Sequence, residues 1–143
     1  MSMDQISVFV ENSPGRLADI TEILGTAGID LRAVSIADTA DFGVLRLISS
    51  EPQKAMELLR SKGCVVSVTP VLAVELADTP GSLAGVLRIL ADAGVSIEYL
   101  YAFITRKKGN AYVILRVEDN ARAEKILADR GVKIADADEI YAI

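Results

Sequence analysis

Histidine is absent from this 143-residue chain and Cys64 is its only cysteine. Those two shortages exclude an internal disulfide and leave a zinc site or a Cys–His nucleophile almost without materials. A single thiol also suits a reducing compartment, so the expected location is cytoplasmic. No apolar run approaches the roughly 20 residues that span a bilayer. The opening MSMDQISVFVENSPG has no basic flank and no small-residue cleavage site, and reads as mature sequence. The net charge of −5 disfavours nucleic acid or an anionic membrane as partner, because phosphate binding needs clustered cations. The one tight basic group, Arg106-Lys107-Lys108, reads as a charged hairpin turn. What is plentiful is apolar sequence, 51% of residues, enough to build a core.

The apolar residues are arranged twice in the same way. ENSPGRLADI (11–20) returns as ADTPGSLAGV (77–86), and at that offset Leu17, Ile20, Leu24, Ala27 and Gly28 match Leu83, Val86, Leu90, Ala93 and Gly94. Steps of three and four residues ending in glycine predict an amphipathic helix in each copy. GVLRLIS (43–49) resembles YVILRVED (112–119) across a four-residue insertion around Lys107–Asn110, which puts Arg46 and Arg116 at one place. AMELLRSKG (55–63) matches AEKILADRG (123–131). Each unit therefore reads strand, helix, strand, strand, helix, strand. The predicted spans are 4–10, 14–27, 29–37, 43–49, 52–62 and 65–69, then 71–76, 80–93, 95–104, 111–118, 121–130 and the chain end EIYAI as a last strand closing a sheet edge.

Apolar parity switches inside IDLRAVSIA, from Ile29 and Leu31 to Val34 and Ile36, which predicts a β-bulge. The fold class is α+β: two ferredoxin-like βαββαβ sandwiches in tandem, antiparallel sheets with helices on one face, spanning 1–70 and 71–143. The join VVSVTPVLAVEL is β-prone, unlike a flexible linker, so the halves are expected to be rigidly coupled.

The repeated turn has two readings. As structure, Ser13 and Thr79 are helix N-caps, Pro14 and Pro80 take the first helical position, and Gly15 and Gly81 clear space for a close approach. As a site, the same helix ends offer amides and a positive dipole to a carboxylate, with Asn12 or Asp78 beside them.

The pattern N-x-P-G-x-L followed by A-x-x-G-I-x-[IL] resembles the ACT domain, a small regulatory module that binds amino acids. Asn12-Ser13-Pro14-Gly15-Arg16-Leu17 with Ala27-Gly28-Ile29-Asp30-Leu31 carry it first. Asp78-Thr79-Pro80-Gly81-Ser82-Leu83 with Ala93-Gly94-Val95-Ser96-Ile97 carry it again, so the resemblance covers essentially the whole chain as a tandem pair with no enzyme domain attached. The resemblance implies a non-catalytic sensor without a cofactor, holding an amino acid or related carboxylate between ACT modules. The turn would come from one module, and the polar residue after the helix, Asp30 or Ser96, from its neighbour. Some amino-acid-inhibited relatives use a histidine two residues before the turn asparagine. Here that place is Val10 or Leu76, which points to a more apolar wall. Asn12 with Asp30 keeps the more complete polar pair, so the first half is favoured. The alternative is a structural module that assembles with a partner enzyme and binds nothing.

Tyr99, Tyr101 and Phe103 share one side of a strand, with Leu100 toward the helix-covered core. On an open sheet face such a row predicts an interface between two chains, hence a homodimer, or a wall for a ligand. Arg46 and Arg116 are expected to pair with acids across the sheet or to clamp a carboxylate. Asp38 and Asp41 suit a turn, Cys64 a strand, and ADADE (135–139) a solvated stretch.

Overall fold

The computed structural model describes residues 2–38, 41–103 and 109–142. The expected turn at Arg106-Lys107-Lys108 lies outside them. Two compact units emerge, Asp4–Thr69 and Pro70–Ile143, the latter grouped with the first three residues. In the first unit β1 (Met3–Glu11), α1 (Arg16–Thr26), β2 (Leu31–Asp38), β3 (Phe42–Ser49) and α2 (Pro52–Ser61) lead into β4 (Val66–Ala77). In the second, β4 continues into α3 (Ser82–Asp92), β5 (Ile97–Ala102), β6 (Asn110–Val117), α4 (Asn120–Asp129), β7 (Ile134–Ala135) and α5 (Ala137–Tyr141). The strand orders are β2-β3-β1-β4 and β5-β6-β4-β7, so each unit is the expected βαββαβ layer pair.

Alternation along β1 buries Ile6, Val8 and Val10 against Ile20 and Leu24 of α1 and Ala55 and Leu59 of α2. In the second unit Leu72, Val74 and Leu76 meet Val86, Leu90, Ala123 and Leu127 in the same way. The second helix of each unit also ties down the first. Lys54 Nζ donates to the Ala27 carbonyl (3.3 Å), and Arg122, its counterpart, donates to that of Ala93 (2.6 Å). A cation at the carbonyl end of a helix meets both the orphan acceptors and the negative dipole end. The predicted bulge is present: the β2–β3 register shifts between Leu31 and Ala33, and the β5–β6 register between Ile97 and Tyr99.

The Pro-Gly turn works differently from its first reading. Ser13 and Thr79 are not N-caps. Gly15 and Gly81 are, at φ 86° and 90°, and no side chain caps either helix. Arg16 N–H reaches back to the Ser13 carbonyl, and Ser82 N–H to that of Thr79, both at 3.3 Å. Proline holds φ near −65° at the second position and glycine takes the left-handed third, which is a type II turn. A Cβ built on either glycine meets nothing within 4 Å. Glycine is therefore required by backbone angle and not by a close approach.

The ladders also correct the alignment of the halves. Val8 faces Leu45 and Ser7 faces Arg46, while Val74 faces Val113 and Ala73 faces Ile114. Structurally Arg46 thus corresponds to Ile114, one pleat away from Arg116, and the extra length in the second hairpin is two residues instead of four. Arg116 Nε pairs with Glu98 across the sheet (3.3 Å), as expected, and its NH1 donates to the Pro70 carbonyl (3.0 Å). Cys64 sits just before β4, partly buried against the first core.

Two members of the aromatic row do not lie on an open face. Tyr101 and Phe103 are 8% exposed and Tyr112 is 1% exposed within the single chain. Tyr101 stacks on Tyr99, and Phe103 meets Tyr112 edge-on. Leu100 does face the helix side, opposite Leu115, but on edge strand β5 it stays 37% exposed and outside the core. The chain end also departs from expectation. Its described residues, 139–142, are not a strand: β7 pairs with β4 within its own unit, and α5 follows, with Asp136 accepting from Glu139 N–H (2.9 Å) and Ile140 buried. Within ADADE, Asp136 and Asp138 are exposed, as expected, while Ala135 is buried in β7 and Asp136 caps α5.

With the register settled, one contrast between the repeats stands out. Phe9 N–H bonds the Val65 carbonyl (3.0 Å) as Glu75 N–H bonds that of Lys133 (2.9 Å), and Glu11 faces Phe42 as Ala77 faces Asn110. The second unit thus has Glu75, Asn110 and Lys133 where the first has Phe9, Phe42 and Val65. The last three are exposed, and the two rings touch at 5.7 Å.

Two predictions follow from these constraints. Gly81→Ala should lower unfolding free energy by about 1–2 kcal/mol, the cost of a left-handed alanine. Gly85→Ala, inside the same helix with open space around it, should raise it by about 0.5–1 kcal/mol. Urea titration reads both, and equal signs would refute the angular requirement. Grafting the second unit's pair as Phe9→Glu with Val65→Lys should change stability by no more than about 1 kcal/mol, the scale of a cross-strand pair. A loss of several kcal/mol in the same titration would mean that the exposed patch is covered in solution.

Candidate functional site

The Asn12–Leu17 turn forms one side of a cleft of about 300 Å³ in the first unit. Asn12, Ser13, Gly15 and Leu17 line it, joined by Val10, Glu11, Ala18, Ile36 and Gly43. Strand β1 brings Val10 to its floor, 2% exposed, and the type II turn swings α1 back so that Leu17 and Ala18 face it. Asn12 N–H is fixed by the Asp41 carbonyl (3.0 Å), closing the mouth of the β2–β3 hairpin onto the turn. The first intrahelical bond of α1 runs from Asp19 N–H to the Gly15 carbonyl (2.9 Å). The amides of the preceding turn have no acceptor within the helix and no side-chain cap. Chemically this is a small trough with amide donors and an asparagine at one end and aliphatic walls along the rest.

Pro14 and Arg16 lie exposed on the same turn, Arg16 only 3.9 Å from Asp19 in a weak surface pair. Asp30 and Leu31 are elsewhere. Leu31 pairs with Ser49 while Glu11 pairs with Phe42, so seven residues of β3, roughly 24 Å, separate the two ends. Asp30 Oδ2 is engaged by Arg32 NH1 at 2.6 Å, its N–H is 3.2 Å from Ser50 Oγ, and Leu31 packs partly into the first core. The unit therefore does not bring Asn12 and Asp30 together.

The second unit repeats the geometry with different chemistry. Asp78 N–H bonds the Gly109 carbonyl (3.0 Å), Thr79 Oγ1 and Ser82 Oγ are 2.7 Å apart, and Pro80 is exposed. Leu83 and Ile97 pack against the second core, and Ile97, paired with Val117, keeps the adjacent Ser96 at the end of the sheet opposite Asp78.

Gly81 and Ser82 line a larger cleft, about 510 Å³, on the flank of α3 that faces Glu75, Leu76, Val132 and Lys133. The sequence reading missed this charged group, because Glu75 lies 58 residues before Lys133 along the chain. Lys133 Nζ lies 2.8 Å from Glu75 Oε2 and 3.0 Å from Glu139 Oε1, and Asn110 donates to the other Glu75 oxygen. The hydrogen bond to Glu75, then that to Glu139, pushes the Lys133 ammonium above the ordinary lysine range. A raised folded-state value stabilises the fold throughout neutral pH and is lost only as pH rises past the lysine range.

Among the described residues no group of three His, Cys, Asp or Glu side chains is placed to hold a metal, and no helix is long and apolar enough to cross a membrane.

A protein from Bacteroides thetaiotaomicron is similar in structure, with a TM-score of 0.93 and 37% identity over 100% of this chain and 98% of that one. The regulatory subunit of aspartate kinase from Thermus thermophilus shares the fold, with a TM-score of 0.66 and 18% identity over 88% of this chain and 91% of its own. The corresponding subunit from Thermus flavus has a TM-score of 0.60 at 19% identity, over 88% and 90%. No curated protein sequence matches the chain. The family model described as an ACT domain pair matches residues 1–143, and the chain, with its two βαββαβ units and paired Pro-Gly turns, belongs to that family.

Proposed function

We propose that this ACT domain pair is a non-catalytic regulatory protein that binds an amino acid or a related small carboxylate at the Asn12–Leu17 turn of its first unit. The observation that carries the reading is the cleft itself: a small apolar trough ending at the start of α1, whose N-cap glycine supplies no side-chain cap. A carboxylate placed there meets the positive helix end, while Asn12 can serve the rest of the ligand's polar end. In the second unit Asp78 replaces Asn12, and its carboxylate repels an anionic group at the same place. The fold shared with regulatory subunits of aspartate kinase fits a role in which the ligand biases an assembly. Such a ligand acts by binding one state of that assembly better than another. Pairing with a neighbouring module, in a homodimer, would also bring an Asp30 or Ser96 from another unit to the turn.

A second reading, a structural module that docks on a partner enzyme and binds nothing small, is favoured by the exposed Phe9, Phe42 and Val65.

Thermal unfolding in the presence of each proteinogenic amino acid separates the two. A ligand at a hundred times its Kd adds about 2.7 kcal/mol and raises Tm by several degrees. The expected result is a selective shift that Asn12→Ala abolishes while the unliganded Tm stays within about 2 °C. If no amino acid shifts a well-folded sample, the docking reading replaces the sensor.

A further inference from the structure

Resting on the reading that an amino acid occupies the first unit's cleft, we infer that this cleft selects ligands with an uncharged aliphatic side chain, and that Ile36 is the residue that sets the preference. The walls away from the turn are apolar. Val10 forms a buried floor, and Leu17 and Ile36 stand at the mouth, 41% and 45% exposed. Exposed side chains of that size facing one small trough gain most from a ligand that brings apolar surface to cover them.

Ile36 is held in place by what lies beneath it. A Cβ on Gly43 would sit 3.3 Å from Ile36 Cδ1, so the bare glycine lets the isoleucine lie flat across the neighbouring strand. The volume of about 300 Å³ is at the small end for a ligand pocket, which suits a single amino acid.

The charges point the same way. No lysine or arginine is among the residues lining the cleft, so an acidic ligand side chain would leave water without a partner. Among the described residues lining the cleft the one acid is Glu11, which follows Val10 on β1. Strand alternation therefore sends its side chain toward the Phe9–Phe42 face, away from the trough, and among the described side chains a basic ligand finds no counterion there. The wall is particular to the first unit. In the corresponding ladder of the second, Ile36 is replaced by Ala102, opposite Val113 as Ile36 is opposite Leu45. Gly43 is replaced by Ala111, opposite Leu76 as Gly43 is opposite Val10.

Isothermal titration of the full chain with leucine, isoleucine, valine, alanine, aspartate and lysine, repeated on Ile36→Ala, tests this. The branched aliphatic ligands are expected to bind about tenfold or more tightly than alanine, with aspartate and lysine weakest. Ile36→Ala should weaken leucine binding about tenfold and leave alanine binding unchanged. Preference for a charged or polar amino acid would overturn the selectivity while leaving the sensor intact, as would an Ile36→Ala loss equal for all ligands. Binding of none of the six, alongside a thermal shift with some other amino acid, would overturn the aliphatic preference alone. No response to any amino acid would remove the site as well.

Discussion

Everything in each unit is arranged around a glycine at positive φ. Strand β1 must end, reverse and become a helix that lies back across the same sheet, within four residues. Proline at the second turn position and glycine at the third accomplish the reversal, and only glycine takes φ near +90° without Cβ strain. From that angle follow the placement of Ile20 and Leu24, or Val86 and Leu90, over the sheet, and hence the cores. The same geometry has a chemical consequence. Because the capping residue is glycine, it brings no side chain of its own to the helix end beside Asn12, and the first amide bonded within the helix is that of Asp19.

Duplication preserved this backbone device and let the surfaces diverge. Both units keep the bulge in the second strand and a cation from the second helix on the carbonyl end of the first. On the inner strands, beside the start of each unit's last strand, they differ. Where the first unit exposes Phe9, Phe42 and Val65, the second has a carboxylate, an amide and an ammonium bonded to one another, with Glu139 of α5 joined to them. Glu75 keeps only 10% of its side chain exposed, so its charge is tolerable there because Lys133 and Asn110 satisfy it. The two cleft regions diverge accordingly, one apolar beside Ile36 and one charged beside Lys133.

Helices α1 to α4, strands β1 to β6, the bulge and the tandem order were legible because each rests on residues a few positions apart; the chain end, read as a strand, was not. The capping role was misassigned to Ser13 and Thr79 since both residue types favour that position in general, and only the backbone angles hand it to glycine. Arg46 and Arg116 were equated because short apolar strands align equally well two residues apart. The hydrogen-bonded register decides between those alignments. The Tyr99–Phe103 row was assigned to the right face with the wrong exposure, because periodicity reports which way a side chain points and not what covers it.

The sequence by itself determined the repeat, the periodicities and the positions of the two Pro-Gly turns, since local sterics and side-chain spacing act within a few residues. The turn residues of the candidate site, Asn12 through Leu17, were visible for the same reason. Only the tertiary structure decided that Ile36 and Gly43 complete the trough, that Asp30 lies at the far end of the sheet, and that Glu75, Lys133 and Glu139 converge. Those facts depend on pairings between strands distant in the chain, and no local rule specifies which distant residues will become neighbours.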